Sequence, residues 1–429
     1  MIAEQQERPT WLERALERPI AIFGQGQSGQ AAAALLHGFG ATFEVFDQKH
    51  EDPERRQFDL DTAERFGLAI CSPGFPKEHA WCAVCRQAEV EIVPESDLGA
   101  SLWKGPIVVV TGTNGKTTLT EFLTDAFNSA GMEAYACGNI GVPMSRLLAQ
   151  DCNREAIAVC EVSSFQAEIS RRLQGDYVLW TNFDEDHLDR HGTLRRYFEC
   201  KYRMVESLRG EGVFYDASVE EAAREFGFSL PSEGLVSMEQ DPVELGVSGT
   251  IFESPPELNT YLIARALWLR MGLSEDELVE AANNFKKSPH RMELVCVRDG
   301  VSYWDDSKAT NFHAVYAALK RFTLPVVWIG GGKDKGGNIK RFAQRLAPQI
   351  ASAHLIGETA EALAMAFSEH GVKARVYGNL EDATAGAREA AGSGVNILLS
   401  PGFASLDMFE GYSQRGEAFK KAINSLEEL

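Results

Sequence analysis

The chain has 429 residues, enough for about three domains at roughly 150 residues each. Apolar residues make up 44% and charged residues 24%, the balance of a globular protein with substantial cores. The net charge of 42 − 62 = −20 excludes a general nucleic-acid binder and requires that any anionic substrate be held by local cations. No apolar run approaches the ~20 residues of a membrane span. The polar opening MIAEQQERPT is neither a signal nor a transit peptide.

Taken in chain order, Ile20–Phe23 reads as a buried strand, Gly24–Gly29 as a turn and Ala31–Leu36 as helix ending at Gly38. Thr42–Phe46 is a second strand, closed by Asp47. A further strand, Leu68–Cys71, stops at Ser72-Pro73-Gly74. Cys82 and Cys85 form a C-x-x-C without a second pair at zinc-site spacing. All eight cysteines sit singly or in apolar surroundings, which fits a reducing cytosol and predicts a cytoplasmic protein.

A second region begins near Leu98. Ile107–Val110 is a strand and Gly112–Gly115 a loop. Leu119, Phe122, Leu123, Ala126, Phe127 and Ala130 then mark one face of a helix capped by Gly131. Strands follow at Ile157–Cys160 and Tyr177–Trp180. Residues 216–256 read as polar and irregular, with Pro231, Pro242, Pro255 and Pro256, and Leu258–Met271 returns to helix. A last region, from about Leu294, carries strands at Val326–Ile329, Ala353–Ile356, Ala374–Tyr377 and Val395–Leu399 with helices between them. Alternating strands and helices predict an α/β protein of three consecutive domains, 1–97, 98–293 and 294–429, built on parallel sheets with helices on both faces. Ligands then belong at the carboxyl ends of strands.

Two glycine loops stand there. Gly24-Gln25-Gly26-Gln27-Ser28-Gly29 follows a strand and opens a helix, with Asp47 at the end of the next strand. It is a dinucleotide-type fingerprint, open to NAD, to another nucleotide diphosphate, or to tight strand–helix packing alone. Gly112-Thr113-Asn114-Gly115-Lys116-Thr117-Thr118 is the stronger signal. Backbone N–H groups and one lysine can neutralise β- and γ-phosphates, and a threonine hydroxyl can ligate Mg²⁺. It is not a strict Walker A, since Val110 stands where that pattern needs glycine. A triphosphate loop makes a plain NAD dehydrogenase unsuitable.

Carboxylates cluster near these loops. Glu161 ends the Ile157–Cys160 strand, placed to hold Mg²⁺ or merely to cap a helix. Asp184-Glu185-Asp186-His187-Leu188-Asp189-Arg190-His191 follows the Tyr177–Trp180 strand, either as a solvated charged loop or as a used one.

Together the motifs resemble the Mur ligases. The runs that carry the resemblance are Thr111–Thr117, Glu161-Val162-Ser163-Ser164-Phe165-Gln166, Asp186–Arg190, Pro289-His290-Arg291-Met292-Glu293 and Asp306-Ser307-Lys308-Ala309-Thr310-Asn311, in the family's order from about residue 20 to 425. The resemblance implies a Rossmann-like first and last domain around a P-loop ATPase domain. It implies an ATP-dependent ligase of cytoplasmic peptidoglycan precursor synthesis working through an acyl phosphate. Ser72-Pro73-Gly74 and Ser400-Pro401-Gly402-Phe403-Ala404-Ser405-Leu406-Asp407 resemble the members that add glutamate, D-glutamate first, to UDP-N-acetylmuramoyl-L-alanine.

Residue roles follow from that resemblance. Lys116, with Gly112, Thr113, Asn114, Gly115, Thr117 and Thr118, resembles the triphosphate site, and Arg291 and Asp306 resemble further ATP contacts. Thr117 and Glu161 match ligands of a first Mg²⁺ and His187 a ligand of a second. Lys201 matches the family's carbamylated lysine, whose oxygens suit a hard cation; the residues alone read it as a surface helix lysine. Gln25, Gly26, Gln27, Ser28, Gly29, Asp47, Gln48, Ser72, Asn139, Ser164 and Gln166 match the UDP-substrate site. Lys308, Thr310, Lys335, Ser405, Leu406 and Tyr412 match groups around the incoming glutamate, and Lys308 also the γ-phosphate. Catalysis is thus expected from Lys116, His187, Lys201 and Lys308.

Some positions depart from the family. Leu258-Asn259-Thr260-Tyr261-Leu262 stands where a His-Asn-x-x-Asn run serves the nucleotide base. Tyr412 replaces a phenylalanine, and Phe403-Ala404-Ser405 replaces Cys-Ala-Ser. A ligase for L-glutamate or another acidic amino acid is an alternative reading. A non-catalytic nucleotide-binding partner is a third, opposed by the joint presence of Lys116, Glu161, His187, Lys201 and Lys308. No obligate protein partner is expected.

Overall fold

The computed structural model of the chain describes residues 8–48, 50–72, 75, 79–150, 152–210, 212–334 and 337–426. Its contacts divide it into two compact units, one of residues up to 183 with 198–285, the other of 184–197 with 286–429.

The first unit holds two sheets. β1 (Ile20–Phe23), β2 (Phe43–Phe46), β3 (Leu68–Cys71) and β4 (Glu91–Pro94) form a parallel sheet in the order β2-β1-β3-β4. β5 (Ile107–Thr111), β6 (Ala134–Gly138), β7 (Ile157–Glu161), β8 (Tyr177–Trp180) and β9 (Gly212–Tyr215) form a second in the order β6-β7-β5-β8-β9, also parallel. The central strands are buried along their whole length, which is why they read as unbroken apolar runs rather than alternating ones. On one face of the second sheet the helices Lys116–Ser129 and Glu257–Arg270 bury Leu119, Phe122, Phe127, Tyr261, Leu267 and Trp268. One face of the first sheet carries a cluster of rings, Phe23, Phe46, Phe58, Phe66 and Trp81, with Cys71 and Cys85 among them.

Asp97, on the short helix Glu95–Ala100 that leaves the first sheet, is fully buried. Its carboxylate accepts from Ser170 Oγ at 2.5 Å and from the backbone N–H groups of Arg171, Arg172 and Leu173 at 2.6, 2.8 and 3.2 Å. Burial pushes this carboxyl above its ordinary value and the four donors pull against that shift, and together they fasten the helix to the turn that precedes β8.

The second unit has one sheet. β10 (Glu293–Arg298), β11 (Val301–Asp305), β12 (Val326–Gly331), β13 (Ile350–Ile356), β14 (Lys373–Val376) and β15 (Asn396–Leu399) lie in the order β10-β11-β15-β12-β13-β14. It is parallel except for β10, which pairs antiparallel with β11 through a tight turn at Asp299-Gly300, where both residues have positive φ. The expected strict alternation of strand and helix fails at this edge: β10 exposes one side to solvent and carries no crossover helix. Residues 217–226, expected to be irregular, form a helix capped by Asp216, and Ser232–Gly234 a 3₁₀ turn. No described helix is long and apolar enough to cross a membrane.

Candidate active site

In the first unit the β5 strand delivers Gly112 at φ 139° and Gly115 at φ 82°, conformations open to glycine. A Cβ on Gly112 would lie 1.9 Å from Thr181 Oγ1. Thr181 Oγ1 donates to the Asn114 carbonyl at 2.5 Å. The Asn182 side chain closes a ring on the same residue, accepting from Asn114 N–H at 2.9 Å and donating to its carbonyl at 3.0 Å. Thr113 N–H donates to the Asn182 carbonyl at 3.0 Å. The loop is therefore held open by the end of β8, and Lys116 Nζ curls over it, 2.9 Å from the carbonyls of both Gly112 and Thr113. Thr117 is half-buried beside it and Thr118 buried.

Glu161 ends β7 opposite Val110 of β5 and is 1% exposed. Its Oε1 accepts from Asn139 Nδ2 at 2.7 Å, while Oε2 is buried with no hydrogen-bond partner among the described residues. An unpartnered buried carboxylate oxygen is costly without a counter-charge, and a hard cation fits it. Lys201, on the helix Leu194–Glu206, is 1% exposed and donates to the Gly112 carbonyl at 2.6 Å. It is not a surface lysine, as the residues alone suggested.

At the first glycine turn, Asp47 reaches back and accepts from Gln25 N–H at 3.0 Å. Gln25, Gly26 and Gln27 are exposed, and Ser28 and Gly29 open the helix Gln27–Gly38. A Cβ on Gly29 would meet the Gly24 carbonyl at 1.9 Å, and Gly24 itself approaches the Ser72 hydroxyl. Gln48 lies 3.0 Å from the His79 ring. Lys49, Pro73 and Gly74 lie outside the described residues. Ser164 and Gln166 are buried at the start of the helix Ser164–Ile169, where Gln166 completes a capping box with Ser163; Gln166 Nε2 has no hydrogen-bond partner among the described residues.

In the second unit the loop after β11 carries Asp306, Ser307, Lys308 and Thr310. Asp306 accepts from Ser400 Oγ at 2.8 Å and from Met292 N–H at 3.2 Å, and burial pushes its carboxyl up to about 7. His290 bonds Asp305 at 2.6 Å through Nδ1, and its carbonyl accepts from Lys308 N–H. Arg291 follows it with Nη2 buried and without a hydrogen-bond partner among the described residues. Lys308 Nζ stands 3.9 Å from the centre of the Tyr412 ring, a cation–π contact.

Thr310 lines a cavity together with Glu185, Asp186, His187, Asn311, Asp334, Gly402 and Phe403. His187 is in the left-handed region, φ 53°. Ser405 is buried and Leu406 exposed, beyond the residues that line this cavity. Lys335 lies outside the described residues. Arg415, which sequence reasoning missed, is 1% exposed and donates from Nε to Ser307 Oγ at 3.0 Å, from Nη2 to the Ser307 carbonyl at 2.8 Å and from Nη1 to the Phe403 carbonyl at 3.2 Å. It is a lone arginine on the helix Tyr412–Ser425, and nothing local marks it. Thr181 and Asn182 were also missed, though a polar pair at a strand's carboxyl end was the available signal.

The chain matches the model of the Mur ligase middle domain over residues 110–225 and that of the Mur ligase glutamate ligase domain over residues 290–403. It is 31% identical over 448 residues to a UDP-N-acetylmuramoylalanine–D-glutamate ligase of Protochlamydia amoebophila, covering 97% of this chain and 100% of the relative. The same enzyme of Caldanaerobacter subterraneus is 31% identical, covering 96% and 99%. Among solved structures, UDP-N-acetylmuramate-alanine ligase MurC of Thermotoga maritima has a TM-score of 0.60 at 16% identity, covering 95% and 99%. MurF ligase of the same organism in complex with ADP has a TM-score of 0.57 at 15% identity, covering 99% and 97%.

Proposed function

The chain belongs to the Mur ligase family, and on that premise we propose that it joins D-glutamate to UDP-N-acetylmuramoyl-L-alanine in an ATP-driven amide ligation of peptidoglycan precursor synthesis. The observation that carries the chemistry is the convergence on one phosphate loop of Lys116, Lys201 and, one strand away, the buried Glu161.

The reaction moves the γ-phosphoryl group of ATP to the substrate carboxylate. The acyl phosphate so formed is attacked by the glutamate amine, and phosphate leaves. Two anions must approach each other in the first step, so catalysis rests on charge neutralisation at fixed positions. Lys116 is already held over the loop that would cradle the triphosphate. Arg291 and Asp306 are assigned further ATP contacts, and Lys308, steadied against Tyr412, the γ-phosphate. The first glycine turn with Asp47, Gln48 and Ser72, and Asn139, Ser164 and Gln166, are assigned to the UDP substrate. Thr310, Lys335, Ser405, Leu406 and Tyr412 are assigned to glutamate, Lys335 as the cation for one of its carboxylates.

Magnesium, when bound, supplies neutralisation of phosphate charge. Thr117 and Glu161 are the proposed ligands of one ion, with the orphaned Glu161 Oε2 as the supporting observation. His187 is proposed for a second ion. Lys201, as a carbamate, would offer oxygen in place of an ammonium. Restoration of part of the activity of Lys201→Ala by formate or acetate would support the carbamate; near-normal activity of the unaided variant would refute it. The boundaries near residues 97 and 293 and a cytoplasmic site of action belong to the same proposal. Its test is phosphate release with ATP, UDP-N-acetylmuramoyl-L-alanine and amino acids of both configurations. D-glutamate should give the highest kcat/KM. Preference for L-glutamate, or no amino-acid-dependent release, would overturn it.

A further inference from the structure

Asn311 sits at the junction of two structures in the second unit. Its Oδ1 accepts from Ala314 N–H at 2.9 Å and caps the helix Phe312–Leu319. Its Nδ2 donates to Asp186 Oδ2 at 3.0 Å. The orientation of the amide is fixed by these neighbours, since an N–H meets only an acceptor and a carboxylate only a donor. Asp186 in turn accepts from His187 N–H through Oδ1 at 2.9 Å. Both side chains are nearly buried, Asn311 at 8% and the Asp186 side chain at 7% exposed. His187 follows in a left-handed conformation, uncommon outside glycine although histidine enters it more readily than most residues. The turn then closes through Arg190 N–H and His191 N–H to the His187 carbonyl, at 3.1 and 3.0 Å.

Capping alone does not select asparagine, because aspartate and serine cap as well. Ionised aspartate has no donor to direct at a buried carboxylate while capping, and serine has both functions on one atom, whereas the asparagine amide separates its acceptor from its donor. We propose that Asn311 is a positioning residue: through Asp186 it fixes the left-handed turn that presents His187 to the cavity lined by Thr310. The inference rests on the ligase reading for its catalytic consequence, but not for its structural one.

The arrangement can be inverted atom by atom. In Asn311→Asp one oxygen still caps Ala314, while the other faces the Asp186 carboxylate and repels it. Adding Asp186→Asn restores the pattern with its polarity reversed: the new amide donates to residue 311 and its oxygen still accepts from His187 N–H. The experiment measures kcat and KM for glutamate and amide exchange at residues 187–192 in the full chain, for wild type, both single variants and the double. Asn311→Asp should lower kcat about ten- to a hundredfold, the range for a lost hydrogen bond to a charged group. It should also speed exchange at Arg190 and His191 about tenfold or more. The double variant should recover most of both, within about tenfold of wild type in kcat. Unchanged exchange in Asn311→Asp, or a double variant no better than the worse single, overturns the proposal. Absence of amino-acid-dependent phosphate release in wild type would instead defeat the ligase reading, and the exchange data would still decide the role of Asn311.

Discussion

Replacing Arg415 by methionine preserves most of the side chain's volume and removes every donor. The guanidinium makes three hydrogen bonds, two to Ser307 and one to the Phe403 carbonyl, at 2.8 to 3.2 Å. Burial pulls its pKa down to about 10, so it is still charged at neutral pH and each bond is charge-assisted. Hydrogen bonds to a charged group are worth about 1.5–3 kcal/mol each, and the buried carbonyls left behind cost about 1–3 kcal/mol if unsatisfied. Removing the desolvation cost of the cation offsets part of this. We expect a net loss of about 3 kcal/mol in the unfolding free energy of the second unit. Urea unfolding followed by tryptophan fluorescence reads it, since Trp304 and Trp328 both belong to this unit. Arg415→Lys should recover little, because one ammonium cannot span the acceptors on both loops. The same variants should lower kcat, because Ser307 precedes Lys308 on the loop that Arg415 fixes. A methionine variant within about 1 kcal/mol of wild type, below the range for even one such bond, would refute the reasoning.

Lys116→Ala should abolish phosphate release yet leave UDP-substrate affinity nearly intact by calorimetry, since the uridine diphosphate is assigned to the first sheet's glycine turn and the triphosphate to the loop after β5; equal loss of both would refute the assignment. Asp306 has its carboxyl raised from 3.8 to about 7, chiefly by burial. Between these values the native state holds a proton that the unfolded state has lost, so the stabilisation is full below the unfolded value and disappears as pH rises through about 7. Asp306→Asn should therefore flatten the fall in urea midpoint between pH 5 and pH 8; identical slopes would count against it. Gly112→Ala must displace Thr181 and holds alanine at φ 139°, so it should lower the melting temperature and eliminate ATP binding. A variant that binds ATP normally would show that the loop is not held as described.

Much of the parallel framework was legible because buried strands are unbroken runs of aliphatic, aromatic and cysteine residues, and β1, β3 and β8 fall where the apolar runs lie. Strands without such runs escaped. Ala134–Gly138 carries two alanines and a glycine, and β10 is an edge strand with no fully buried position, exposing Leu294 and Val297. The glycine loops and Glu161 were legible because their chemistry is local to one strand end. Arg415, Asn182 and the link from Asn311 to Asp186 were not, because the bonds Arg415–Ser307, Asn182–Asn114 and Asn311–Asp186 span 108, 68 and 125 positions. Lys201 shows the converse. Its helix has a polar sequence, and only the fold reveals that this lysine faces the Gly112 carbonyl.

The Asp97 carboxylate carries a consequence for how such a chain could be rearranged in evolution. The boundary expected near residue 97 coincides with the residue that stitches the first sheet's exit helix to the turn before β8. A module cut there and exchanged for an unrelated nucleotide-binding unit would leave three converging backbone N–H groups, at Arg171, Arg172 and Leu173, without their acceptor. Successful recombination at this seam must bring a carboxylate back to the same point. The seam is thus a lock-and-key joint, and it restricts which front modules the region after residue 97 can accept.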